Sequence, residues 1–98
     1  MIVLNVTYKC KTDMREEFLE AIMAEGIDVA CRAEDGNFKY DYYMAAGDEN
    51  EMLLVEKWRD ADALSAHQAQ AHFKRLGELK NEFVEETILE KYYTENRI

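Results

Sequence analysis

Residues 2 to 9 read Ile-Val-Leu-Asn-Val-Thr-Tyr-Lys, a β-branched run that stops at the polar turn Lys11-Thr12-Asp13. The strand it predicts is apolar on both faces: Ile2, Leu4, Val6 and Tyr8 point one way, and Val3, Asn5 and Thr7 the other. The segment 51 to 58 repeats the pattern, with Met52 and Leu54 opposed to Leu53 and Val55. A sheet made of such strands has to be covered on both sides. With 98 residues, 48% of them hydrophobic, 4 glycines and no proline, the chain has material for one core, so we read one domain over 1–98.

The order of the remaining elements says how much covering is at hand. Asp13 is suited to cap a helix over about 13 to 24, with Glu16 and Glu17 in its first turn and Met14, Phe18 and Ile22 at helical spacing; the helix can resume after Gly26. Turn chemistry at Ala33-Glu34-Asp35-Gly36-Asn37 leads into a strand over 38–44, and Gly47-Asp48-Glu49-Asn50 joins this to the strand over 51–58 as an antiparallel hairpin. Asp60 caps a helix carrying Leu64 and His67, a further helical stretch carries Phe73, Leu76 and Phe83, and 87–93 forms a fourth strand. The string β-α-β-β-α-β predicts an α+β, ferredoxin-like antiparallel sheet. Helices on one face leave the other bare, so the second face is predicted to pack on another copy as a homodimer.

Charge and motifs exclude several functions. Twelve Lys+Arg against 21 Asp+Glu give a net charge of −9, which opposes binding to nucleic acid or to anionic membranes. No apolar run approaches the roughly 20 residues needed to cross a bilayer, and no basic, then apolar leader is read at the start, so a cytoplasmic protein is expected. Cys10 and Cys31 have neither knuckle nor redox spacing and are expected to be free thiols. Phosphate-binding, serine-hydrolase and thioredoxin signatures are missing from the sequence.

A few residues remain as candidates for chemistry. Asn5 is the one amide in an apolar strand; buried without partners it would cost about 1–3 kcal/mol, so it either lines a polar spot in a pocket or is satisfied within the core or at an edge. His67 shares a helix face with Leu64 and leans toward the sheet, either as a proton acceptor or donor or as a structural histidine. His67 and His72 are five apart, which misses the i, i+4 geometry of a helical metal pair, and no carboxylate completes a set with them; no metal or other cofactor is predicted. His72, next to Phe73, either caps backbone groups or faces solvent. Trp58, Tyr40, Tyr42 and Tyr43 either form a cleft for a planar ring or pack in the core and interface.

In this order, Asn5, the Glu34-Asp35-Gly36-Asn37 turn before Tyr40-Asp41-Tyr42, the Val55-Glu56-Lys57-Trp58 strand end, and His67-Gln68 followed by His72-Phe73 resemble the antibiotic biosynthesis monooxygenase (ABM) superfamily, over roughly residues 1 to 93. In detail the chain looks like the small single-domain quinol monooxygenase-like members of that family. The resemblance implies a dimeric α+β barrel and oxidation of a hydroquinone or polyphenol by O2 without metal, flavin or haem. It also implies that Asn5 hydrogen-bonds the substrate oxygen and His67 acts as base, with Trp58, Phe73, His72 and Tyr42 around the substrate ring. Four positions bear on how far the resemblance reaches. Thr12 and Ala71 stand where prolines are usual, and His67 and Gly77 stand where the haem-degrading branch has its Trp and His, which disfavours haem degradation. Because the family includes other reactions, an isomerase or lyase of a small carbonyl compound and a non-catalytic dimer binding an aromatic metabolite stay open as alternatives.

Overall fold

A computed structural model describes residues 1–95. The period-2 segments form four strands, β1 (Ile2–Cys10), β2 (Asn37–Met44), β3 (Glu51–Trp58) and β4 (Val84–Tyr93). The helical segments form α1 (Arg15–Ala24), α2 (Ile27–Arg32), α3 (Ala61–Gln68) and α4 (Ala71–Phe83). The sheet order is β2-β3-β1-β4 with every pairing antiparallel, the ferredoxin-like topology predicted from the element string.

Pleating sorts the strands into two faces. Ile2, Leu4, Val6, Tyr8 and Cys10 of β1 and Met52, Leu54, Glu56 and Trp58 of β3 are buried, whereas the residues between them are half-buried or exposed. The inner face meets Phe18 and Ile22 of α1, Ile27 and Cys31 of α2, Leu64 of α3, and Leu76, Leu79 and Phe83 of α4. Phe18 lies edge-on to Tyr8 at 5.3 Å and 5.9 Å from Phe83, so α1 and α4 close over one end of β1.

Some local predictions need correction. Asp13 sits at φ +62° and donates its N–H to Asn50 Oδ1 at 3.0 Å, so it shapes a turn and does not cap α1. By contrast Asp60 caps α3 as expected, accepting from the Ala63 N–H at 2.9 Å. The fourth strand begins at Val84, three residues before its predicted start, because α4 runs directly into it. Both cysteines are free and buried.

Three local devices fix the end of the molecule that carries the histidines. Arg32 pairs with Asp28 at 2.7 Å and donates to the Tyr40 carbonyl at 2.8 Å, tying α2 to β2. Gly36, at φ +84°, lets its turn press on α3: a Cβ there would lie 2.6 Å from that of Ala63, so this position takes glycine. Its carbonyl also accepts from the Arg59 N–H at 2.8 Å. Finally, Gln70 adopts extended backbone angles between α3 and α4, breaking what would otherwise be one helix.

Candidate functional site

Breaking the helix at Gln70 puts His67 and His72 on different helices, and the pinned turn brings Glu34 between them. His67 Nδ1 lies 2.7 Å from Glu34 Oε2, and His72 Nε2 lies 2.9 Å from the same oxygen. A carboxyl oxygen between two imidazoles accepts from both, which leaves the Nε2 lone pair of His67 free. Nε2 faces Glu56 Oε1 at 3.7 Å, and that oxygen also accepts from Trp58 Nε1 at 3.0 Å. Trp58 packs against the imidazole at 4.5 Å with its ring tilted by 33°, and Phe73 meets it edge-on at 5.1 Å.

His67 is only 2% exposed, yet it forms part of the wall of a cavity of about 170 Å³ between sheet and helices. Apolar surface from Leu4, Val6, Tyr40, Phe73, Leu76 and Leu89 makes most of the lining, and Glu56, His67, Gln68, Lys80 and Thr87 supply polar groups. A larger hollow of about 490 Å³ between α2 and α3 touches the cluster only through Glu34 and His72. We place the site at the smaller cavity, because there an apolar enclosure meets a few convergent polar groups.

Burial sets the protonation of this group. Desolvation raises the Glu56 carboxyl to about 7, against the Trp58 hydrogen bond that lowers it, while the nearby Glu34 raises it further. Desolvation likewise lowers the His67 imidazole, partly offset by its bond to Glu34. Lys80 is lowered by burial, with Glu56 pulling it back up. His67 is therefore neutral at neutral pH and stands beside an acid near its midpoint, an arrangement that can accept a proton and pass it on.

Of the residues predicted from sequence, His67 and Phe73 line the cavity. Trp58 is fully buried behind His67 and does not reach it; nor does His72, which lines the larger hollow. Tyr42 stands behind Tyr40, with the two hydroxyls 3.3 Å apart. Asn5 needs correction: paired in register with Val55 and Glu90, it points to the outer face, so the structure does not bring it together with His67. The statement that no carboxylate joins the two histidines is also overturned, since Glu34 does so from a distant turn. Sequence reasoning missed Glu56 as well, although its signal was present: in the alternation Met52, Leu54, Glu56, Trp58 it is the acid at an inward position.

This fold and site define a class. The family model described as antibiotic biosynthesis monooxygenase matches residues 1–79, and the chain belongs to that family. It is 42% identical over 74 residues, 76% of either chain, to the Bacillus subtilis (strain 168) protein named "Putative monooxygenase YcnE". Among solved structures, a Nitrosomonas europaea protein described as a "Putative antibiotic biosynthesis monooxygenase" superimposes with a TM-score of 0.86 at 25% identity, over 98% of this chain and 100% of that one. A Bacteroides thetaiotaomicron protein described as a "Possible Oxidoreductase" gives 0.82 at 30% identity, over 93% and 94%.

Proposed function

We propose that this protein is a monooxygenase that oxidises a single-ring hydroquinone or related phenol with O2, using His67 as its base. One observation carries the reading: an imidazole at the wall of a mainly apolar cavity whose Nδ1 lies 2.7 Å from Glu34 Oε2, a contact that favours the tautomer with Nε2 as the acceptor. Cavity size supports the substrate class, since about 150 Å³ is enough for one benzene ring. Nε2 takes the phenolic proton, and Glu56 3.7 Å away is placed to share it. The phenolate then gives an electron to O2, the two radicals join at a ring carbon, and loss of water from the hydroperoxide leaves the oxidised quinone. The ring is its own reductant in this sequence, and Lys80, also at the cavity, offers positive charge to the oxygen anion.

Homodimerisation belongs to the same proposal. Val3, Leu53 and Val55 are half-buried on the outer face, where Tyr43, Ile88 and Tyr92 are exposed beside them, and sheet-to-sheet packing of two copies would cover all six. No helix among the described residues is long and apolar enough to cross a membrane, and a reducing cytoplasm suits two free, buried thiols.

The test is O2 consumption by metal-stripped protein with a panel of reduced quinones, corrected for spontaneous oxidation. Saturable, protein-dependent uptake that collapses in His67→Ala is expected. Uptake equal to background across the panel would defeat the reading and direct attention to small carbonyl ligands.

A further inference from the structure

The cluster behind His67 contains one residue for which proton transfer has no use. Cys31 of α2 is completely buried, and its thiol faces the group formed by Glu34, His67 and His72; one ligand atom from each of the four lies within 4.8 Å of every other. We propose that Cys31, Glu34, His67 and His72 form a binding site for a single Zn²⁺ ion. The site goes beyond the monooxygenase reading and does not depend on it.

Chemistry and placement both favour this cation. One sulfur, two imidazole nitrogens and one carboxyl oxygen make the borderline-soft set of four that tetrahedral Zn²⁺ prefers. Thiolate and carboxylate together cancel the charge of the ion, so the occupied site is neutral where it is buried. The donors come from α2, the turn after it, α3 and the start of α4, each fixed separately: α2 by Arg32 on the Tyr40 carbonyl, the turn by Gly36 against Ala63, and the two histidines by the break at Gln70. Little has to move. Glu34 Oε2, now 2.7 and 2.9 Å from the two nitrogens, must open to about 3.3 Å, the edge of a tetrahedron with bonds of about 2.0–2.1 Å. The hydrogens those contacts now share are what the cation replaces.

Outer contacts fit as well. His67 turns its other nitrogen to Glu56 at 3.7 Å, the carboxyl–histidine–metal relation that orients ligating imidazoles. An entry path exists, because Glu34 and His72 line the hollow of about 490 Å³ between α2 and α3, on the side away from the apolar cavity. A metal on Nδ1 of His67 leaves the proton on Nε2, converting that nitrogen from acceptor to donor. On the reaction proposed above, the zinc-loaded protein would thus be the inactive form.

Calorimetric titration of the reduced, metal-free protein with Zn²⁺ alone provides the test, with Co²⁺ as the spectroscopic probe. Expected are one ion per chain, a dissociation constant of about 1 μM or tighter, and a Co²⁺ complex showing a thiolate-to-metal charge-transfer band that Cys31→Ser removes. Because Cys31 is buried and its variant can misfold, His72→Asn at a partly exposed position is the second arm; it should keep the native circular dichroism and bind Zn²⁺ about tenfold or more weakly. Zn²⁺ binding as tight in His72→Asn as in the wild type, or a Co²⁺ complex without the thiolate band, would overturn the assignment. Neither readout involves turnover, so failure of the zinc site and failure of the oxygenase reading are told apart.

Discussion

Asn5 and Glu56 are both polar residues in strongly apolar strands that lie side by side, Asn5 paired with Val55 and Leu4 with Glu56. One position of pleat separates their fates. Glu56 points inward, where helices close over it, accepts from Trp58 and has its carboxyl raised to about 7. Asn5 points outward to a face that no helix covers among the described residues. The inner face is thus dry enough to alter proton affinities, whereas the outer face offers a flat, half-buried surface suited to another sheet. On the function proposed above, strand parity, more than residue polarity, separates chemistry from assembly in this fold.

The sharpest way to break that contrast is to remove the inward-facing base. His67→Ala should lower turnover of a reduced quinone by about 10²–10⁴-fold in steady-state O2 uptake, while sedimentation stays unchanged. Next in size is a pH effect on stability. The folded Glu56 carboxyl sits at about 7, above its ordinary 4.5, so the folded protein keeps a proton that the unfolded chain releases across that window. Its contribution is therefore most favourable below 4.5, declines as pH rises toward 7 and stays low above it; 2.5 units amount to about 3 kcal/mol. Glu56→Gln, which keeps an acceptor for Trp58, should lack this decline, and its stability relative to wild type in urea unfolding should rise between pH 4.5 and 7.5.

Parity also explains what was legible beforehand. Strand 51–58 was read with its observed limits because its period of 2 is unbroken, and Asp60 was read as a cap because the whole signal is local. The role given to Asp13 failed because a single residue in the left-handed region leaves no trace in hydrophobic periodicity. At the site, His67 was visible from its helix face, and Glu56 was readable from its place between Leu54 and Trp58. Glu34 was not: the turn around it is local, but its role depends on that turn pressing against Ala63 and on a helix break at Gln70, and its two partners lie 33 and 38 positions further along the chain.

On the outer face the expected effects are smaller and fall on assembly. Val55→Asp puts a charge in the middle of the proposed sheet-to-sheet contact and should weaken dimerisation by about tenfold or more in sedimentation equilibrium, with the inner cavity intact. A wild-type protein that is already monomeric at micromolar concentration would remove the basis for that contact. Asn5→Ala gives the smallest change and the most direct check on parity. Its side chain and the His67 ring lie on opposite sides of the sheet, so kcat and KM should stay within about twofold of wild type even where His67→Ala is inactive. A loss in kcat comparable with that of His67→Ala would mean that the outer face takes part in the reaction, and that the substrate reaches a surface formed by the second copy.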